Sequence, residues 1–148
     1  MKDHEYYMNM ALKAAKKAEK LGEVPVGCVI VKDDKIISSA YNLREKRKNP
    51  LYHAEIIAIK KAAKKLKSWR LSDCRIYVTL EPCPMCAGAI INARIPTVIF
   101  GAYDKKAGCF GSVFDFRNDF NHHPEIITGV MENECSDILK QFFALKRK

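Results

Sequence analysis

The stretch TLEPCPMCAGAI, residues 79–90, joins an extended run to a helix-like run and carries two cysteines three positions apart. The overlapping segment RIYVTL (75–80) is rich in β-branched side chains and predicts a buried strand, and Pro84 to Ala93 predict a short helix. Cys83 and Cys86 therefore stand at a strand–helix junction. At this point three interpretations are open: half of a metal site, a redox pair, or two small core residues.

Helix-like and extended runs alternate on both sides of this junction. The predicted elements, in chain order, are a helix from Tyr7 to Leu21, strands over 24–31 and 36–42 joined by a turn at 32–35, a helix from near His53 to Leu66, the strand 75–80, the helix 84–93, a strand over 97–103, a short strand over 125–130 and a helix over 131–143. Residues 104–123 have no clean period, and segments of this length inside compact domains are usually functional. The alternation predicts a single α/β domain over residues 1–148, with helices on both faces of a mixed sheet of about five strands, which is a three-layer α/β/α arrangement.

The charge of the chain favours a polyanionic partner. Lys plus Arg number 26 against 17 Asp plus Glu, which gives a formal net charge of +9. An excess of this size favours nucleic acid or an anionic membrane surface. The same lysines would also suit an ordinary solvated surface, because soluble helices carry charge on their polar face.

The six cysteines and the apolar runs indicate the compartment. No secretory signal is recognisable at the amino end, and no apolar run is long enough to span a bilayer. We therefore expect a cytoplasmic protein without a membrane segment, whose thiols are free or bound to metal.

A second motif favours the metal-site interpretation of the cysteine pair. His53-Ala54-Glu55 also stands at the start of a predicted helix. Two helices that each begin at the end of a strand can bring their first turns together at one edge of a sheet, which would group His53 with Cys83 and Cys86. Two sulfurs and one imidazole nitrogen leave one tetrahedral position open, as in catalytic zinc sites.

Glu55 lies two residues from the predicted ligand His53. A carboxylate there can take a proton from zinc-bound water and return it to a substrate ring nitrogen and a leaving amine. Taken alone, Glu55 could equally be an acidic residue that complements the helix dipole. Because it stands beside three predicted metal donors, Glu55 is predicted to act as a general acid–base residue.

The pattern His-x-Glu, followed by Pro-Cys-x-x-Cys about thirty residues later, resembles the known signature of zinc-dependent hydrolytic deaminases. The chain resembles the bacterial tRNA-specific adenosine deaminases of the cytidine/deoxycytidylate deaminase superfamily, and the resemblance covers nearly the whole chain. It is carried by GEVPVG (22–27), HAEI (53–56), TLEPCPMCAGAI (79–90), RI (94–95), FGAYD (100–104), Gly108, GS (111–112) and FNH (120–122).

The resemblance implies a cytidine-deaminase-like fold and a homodimer with one zinc per subunit. It implies hydrolytic conversion of adenosine to inosine at the wobble position of a tRNA anticodon stem-loop. It also implies that His53, Cys83 and Cys86 bind the zinc and that Glu55 transfers protons.

The substrate contacts implied by the resemblance involve other residues. Asn42 would contact the target nucleoside, Val26 would form the pocket wall, and Asp104 would hold the sugar of the neighbouring nucleotide. Lys106 and the basic residues 146–148 are expected phosphate contacts. Leu51-Tyr52 stands where the family more often has Thr-Ala, so we expect a bulkier pocket rim.

Two other functions share part of this pattern. A zinc-dependent deaminase of a free nucleobase or nucleotide, such as guanine, cytosine or dCMP, would have the same metal site but no use for a +9 surface. A non-catalytic, zinc-stabilised RNA-binding module would place a fourth protein ligand on the metal.

Overall fold

A computed structural model describes residues 2–146 and contains one five-stranded sheet between two pairs of helices. The elements are α1 (His4–Lys20), β1 (Gly27–Lys32), β2 (Lys35–Tyr41), α2 (Ala54–Leu66), β3 (Cys74–Leu80), α3 (Pro84–Asn92), β4 (Thr97–Ala102), β5 (Glu125–Ile127) and α4 (Glu132–Lys146). Helices α1 and α4 pack on one face of the sheet, and α2 and α3 pack on the other. The predicted three-layer α/β/α fold is confirmed.

The sheet is mixed, with the strand order β2-β1-β3-β4-β5. β1 is antiparallel to β2 and β3, whereas β3, β4 and β5 run parallel to one another. Side chains alternate between the two faces: Cys28 and Ile30 of β1 join the core under α2 and α3, while Val29 and Val31 join the core under α1 and α4. Burial on both faces explains why the central strands read as continuous apolar runs.

The β1–β2 hairpin is tighter than the sequence predicts. Asp33 and Asp34 form a two-residue loop, and both have left-handed backbone angles, with φ of 51° and 60°. Such loops follow the natural twist of paired strands. At the other end of β1 the prediction of a strand from residue 24 is wrong, because the strand begins at Gly27. Pro25 has no N–H for a ladder, and the N–H of Val26 bonds to the carbonyl of Val24 (2.8 Å) in a tight turn instead.

The carboxyl-terminal part differs from the prediction in two places. β5 ends at Ile127 rather than at residue 130, and pairs only with the first half of β4. Left-handed angles at Gly129 (φ 74°) and Met131 (φ 56°) then turn the chain into α4, which continues to Lys146 instead of ending at residue 143. Residues 103–124 contain no helix, and their one β-bridge joins Phe110 and Asp115.

Across residues 2–146, none of the helices combines the length and apolar character that crossing a membrane requires. The six cysteines are all free thiols.

Candidate metal and catalytic centre

The amino-terminal ends of α2 and α3 meet and bring three metal donors together. His53 is the N-cap of α2 and Cys83 is the N-cap of α3, and neither side chain caps its own helix. The Nδ1 atom of His53 lies 3.6 Å from Sγ of Cys83 and 3.5 Å from Sγ of Cys86. The predicted convergence of the two helix starts is therefore present in the structure.

The geometry of this group fits zinc. With Zn–S bonds of about 2.3 Å and Zn–N bonds of about 2.0–2.1 Å, tetrahedral ligation separates a nitrogen from a sulfur by about 3.5 Å. The observed separations of 3.5 and 3.6 Å match this value. Among residues 2–146, the donor group consists of His53, Cys83 and Cys86, without a fourth His, Cys, Asp or Glu. Three protein donors leave one position for water or substrate, as in catalytic rather than structural zinc sites.

The two thiols have unequal surroundings. A hydrogen bond from Cys86, assisted by another with His53, lowers the pKa of Cys83 to about 4. The pKa of Cys86 is raised, because this residue donates that bond and is buried. Thiolates are the form that binds metal, so Cys83 is prepared for ligation and Cys86 releases a proton when a cation binds.

Glu55 lies in the first turn of α2 and is 4% exposed. Burial is the largest cause that raises the pKa of its carboxyl group to about 7. A carboxyl group whose pKa lies near neutrality can both accept and donate a proton during a reaction.

One cavity of about 370 Å³ collects most of the residues singled out from the sequence. Six of the eight line it: Val26, Asn42, His53, Glu55, Cys83 and Asp104. Cys86 is fully buried within the metal-binding group. Lys106 is the exception, because it lines a neighbouring groove of about 670 Å³ together with Tyr103, Lys140 and Phe143.

Asn42 connects the strand side of the cavity to the start of α2. Its Oδ1 atom accepts a hydrogen bond from the N–H of Ala54 (2.8 Å), and its Nδ2 atom donates to the carbonyl of Val24 (3.1 Å). Asn42 therefore satisfies one of the N–H groups that have no partner within the first turn of α2.

Asp104 begins the long loop on the opposite side of the cavity. Its Oδ1 atom accepts hydrogen bonds from the N–H groups of Lys106 (3.0 Å) and Ala107 (3.2 Å). These bonds fold the loop into a tight turn that places Lys106 outside the cavity.

Several cavity residues were missed by the sequence analysis. They are Gly22, Glu23, Val24, Arg44, Glu45, Leu80, Glu81, Phe142 and Phe143. The sequence held a signal for two of them, since Glu23 and Glu81 are the charged residues within the apolar motifs GEVPVG and TLEPCPMC, and a buried charge requires partners. Of the predicted basic residues 146–148, Lys146 lines the cavity, and Arg147 and Lys148 lie outside the described residues.

The expectation of a bulkier pocket rim at Leu51-Tyr52 is not met, because neither residue lines the catalytic cavity. Leu51 instead lines a separate cavity of about 620 Å³ with Met85, Gly88 and Phe120. The N–H of Leu51 is held by the Asn49 side chain at 2.9 Å.

Comparisons with known proteins agree with this geometry. Residues 1–102 match the family described as cytidine and deoxycytidylate deaminase zinc-binding region. The chain is 48% identical over 150 residues to the tRNA-specific adenosine deaminase of Bacillus subtilis (strain 168), with 100% of this chain and 93% of that protein covered. It is also 48% identical over 147 residues to the tRNA-specific adenosine deaminase of Haemophilus influenzae, covering 97% of this chain and 85% of that protein.

A solved structure gives the same result at the level of the fold. It comes from biochemical and structural studies of A-to-I editing by tRNA:A34 deaminases at the wobble position of transfer RNA. The TM-score is 0.87 at 38% identity, with 90% of this chain and 99% of that chain covered.

Proposed function

The chain belongs to the cytidine and deoxycytidylate deaminase family, and from that premise we propose that it deaminates adenosine at the wobble position, A34, of a tRNA anticodon. The reaction is a hydrolysis in which water adds to C6 of adenine, ammonia leaves and inosine remains. The observation that carries the proposal is a cavity in which three metal donors and a buried carboxyl group meet, in a chain 48% identical along its whole length to a tRNA-specific adenosine deaminase.

Zinc is the cofactor, one ion per chain, and when bound it supplies a Lewis acid that activates water as the nucleophile. His53, Cys83 and Cys86 would hold it at the amino-terminal ends of α2 and α3. With three protein donors, the ion would keep a position for water.

Glu55 handles the protons of the reaction. It accepts one proton from the attacking water and transfers it to N1 of adenine. It then carries the second proton of that water from the new C6 hydroxyl to the amino group, so that the C6–N bond breaks, ammonia leaves and a C6 carbonyl forms. Its position supports this role, because it lines the same cavity as His53 and Cys83 without belonging to the donor group.

Asn42 and Val26 receive the target nucleoside. The Asn42 side-chain amide has two N–H groups and donates one to Val24, so the second is the group that contacts the nucleoside. Val26 is 5% exposed and supplies an apolar part of the wall. The volume of about 370 Å³ lies within the range of roughly 300–1,000 Å³ that is usual for small-molecule sites.

The rest of the RNA lies outside this cavity. A base can enter only after it leaves its stack, which makes a single-stranded anticodon loop an easier substrate than a duplex. The adjacent groove, which shares Asp104 and Phe143 with the cavity, offers Lys106 and Lys140 to phosphates and Tyr103 to a base. We assign Asp104 to the sugar of the neighbouring nucleotide.

The second cavity supports a homodimer of single-domain subunits. Leu51 and Phe120 are 54% and 49% exposed and border the small residues Gly88 and Ala89 of α3. A second copy of the chain would cover these apolar side chains, and the small residues would allow a close approach. We place the dimer in the cytoplasm, since six free thiols fit a reducing compartment.

The test is turnover by the zinc-loaded protein of an anticodon stem-loop with adenosine at the wobble position. A stem-loop with that adenosine base-paired in the stem is the matched control, and free adenosine, guanine, cytosine and dCMP are assayed in parallel. Inosine from the single-stranded loop alone supports the proposal. Product from a free base or nucleotide alone would replace it with a small-molecule deaminase.

A further inference from the structure

Two buried carboxylates border the catalytic cavity without belonging to its chemistry. We propose that Glu81 and Glu23 are positioning residues: each holds, through backbone N–H groups, one of the two loops that flank the cavity. The loops are the 104–112 loop, which begins with Asp104, and the 44–49 loop, which begins with Arg44. The kinetic part of this inference rests on the proposed function.

Glu81 is 2% exposed and is surrounded by donors from the 104–112 loop. Its Oε1 atom accepts from the N–H of Asp104 at 3.1 Å and also from the hydroxyl of Ser112. Its Oε2 atom accepts from the N–H groups of Phe110 (3.0 Å) and Ser112 (3.1 Å). These four bonds connect both ends of the loop to one side chain.

The 104–112 loop packs closely against Glu81 at Gly108. A Cβ atom built on Gly108 would overlap the carboxyl group of Glu81 and lie 2.6 Å from the carbonyl oxygen of Asp104. The loop therefore wraps directly against the carboxylate, and a glycine in its middle allows this close approach.

The covalent chain then joins the loop to the metal site. Glu81 stands two residues before the metal donor Cys83. The N–H of Cys109 also donates to the carbonyl of Pro82 at 2.9 Å, between these two residues. The position of Asp104 is thus set relative to Cys83 through a short segment with little freedom.

Glu23 makes the same arrangement on the other side of the cavity. It is 2% exposed, and its two oxygens accept from the N–H groups of Glu45 (3.1 Å) and Lys46 (2.7 Å). These residues belong to the 44–49 loop, whose side chains Arg44 and Glu45 line the cavity. Bonds from N–H groups to a charged carboxylate are stronger than bonds between neutral groups, so each loop has a firm anchor.

The experiment compares Glu81→Gln and Glu23→Gln, each of which places an NH₂ group among N–H donors. Amide hydrogen exchange is followed by mass spectrometry in the peptides that cover 104–112 and 44–49, and zinc content is measured in the same samples. Ser112→Ala removes one of the four bonds to Glu81 and gives a milder variant, in which the Glu81 side chain itself is not replaced. Steady-state kinetics on the anticodon stem-loop complete the set.

We expect Glu81→Gln to speed exchange in 104–112 but not in 44–49, and Glu23→Gln to do the reverse, with one zinc per chain in both. For Glu81→Gln we expect KM for the stem-loop to rise about tenfold while kcat changes less than about threefold, and Ser112→Ala to give a smaller rise in KM. A merely structural role would reduce the active fraction and leave KM unchanged.

The inference is overturned if either variant leaves exchange in its own loop unchanged, or if both loops open together with loss of zinc. An unchanged KM with reduced kcat in Glu81→Gln would also overturn it. If the wild-type protein does not turn over the stem-loop, the proposed function fails, while the exchange measurements still decide whether each carboxylate anchors its loop.

Discussion

At the level of single residues, the proposed mechanism assigns metal binding and proton transfer to different side chains of the cavity. His53, Cys83 and Cys86 form the donor group, and Glu55, two residues along the chain, stays outside it. Burial that raises the pKa of Glu55 to about 7 suits a group that must exist in both protonation states. The two tasks can therefore be removed independently.

Replacing Glu55 with Gln removes the proton acceptor and preserves the shape of the side chain. We expect kcat to fall by about 10²–10⁴, the usual contribution of a positioned acid–base group, while zinc content and RNA affinity stay at wild-type levels. Product formation and zinc stoichiometry are measured on the same preparation. Glu5→Gln, an exposed residue in the first turn of α1, serves as the control. Turnover by Glu55→Gln at more than a tenth of the wild-type rate would contradict the assigned role, by the same measure.

Replacing Cys86 with Ser tests the donor set. A serine hydroxyl is a harder and weaker ligand than a thiolate, so we expect zinc to be lost and with it both turnover and part of the stability against heat. Zinc content and melting temperature with and without added zinc provide the readouts.

Cys74→Ser is the matched control, because Cys74 is equally buried but stands at the start of β3. It should retain zinc and respond to a chelator like the wild-type protein. Retention of a full zinc complement by Cys86→Ser would remove this residue from the donor set.

At the level of elements, the two ends of α2 differ: its start presents a candidate metal donor, whereas its end has an unfavourable backbone conformation. The His53 side chain makes no capping bond to α2, and the Asn42 side chain accepts from the N–H of Ala54, the first residue of the helix. At its other end α2 stops at Lys67 in a left-handed conformation, with φ 53° and ψ 41°. Glycine is the residue that adopts this conformation without cost, so the end of α2 is not optimised for stability.

Replacing Lys67 with Gly should therefore stabilise the protein, by about 0.5–1 kcal/mol, because the steric cost of a Cβ at this angle disappears. Lys65→Gly is the matched control: the same change at an exposed position within the last turn of α2 should destabilise, by up to about 1 kcal/mol. Urea unfolding of both variants gives the free energies. The same sign for both changes would contradict the assignment of the helix end.

At the level of the whole molecule, the catalytic cavity opens beside a groove that carries Lys105, Lys106 and Lys140. This groove gathers three of the lysines behind the +9 net charge, whereas none of the lysines of α1 lines it.

Binding of the anticodon stem-loop should weaken steeply with salt, because phosphate contacts release counterions. We expect Lys106→Ala to reduce the slope of log affinity against log salt by about 0.7–0.9, and Lys16→Ala on the exposed face of α1 to leave it unchanged. Titrations in the Glu55→Gln background avoid turnover. Equal slopes in all variants would exclude Lys106 from phosphate contact.

The proposed homodimer makes a separate prediction at this scale. A Cβ built on Gly88 of α3 meets nothing within 4 Å. Gly88→Arg should therefore leave the subunit folded but prevent a second copy from approaching. Light scattering should give twice the chain mass for the wild-type protein and for Asn9→Arg, an exposed position on α1, and the single mass for Gly88→Arg. A wild-type monomer would contradict the dimer.

The sequence by itself determined the local features of the protein. Hydrophobic period and turn residues are properties of neighbouring positions, so they placed the helices and most strands within a few residues. The motifs around His53 and Cys83 likewise predicted the metal donors, because the ligand residues and the signals for a helix start lie next to each other in the sequence. β5 and residues 103–124 were harder to predict, because neither segment shows a clear hydrophobic period in the sequence alone.

Only the tertiary structure decided how these local features meet. It set His53 at hydrogen-bonding distance from two cysteines thirty positions away, placed Lys106 in the groove rather than the cavity, and brought Phe142 and Phe143 of α4 to the cavity wall. It also buried Glu23 and Glu81 and gave their carboxylates N–H partners from distant loops. The physical reason is that burial and hydrogen bonding depend on groups far apart in the chain, and their relative positions are fixed only when the helices pack on the sheet.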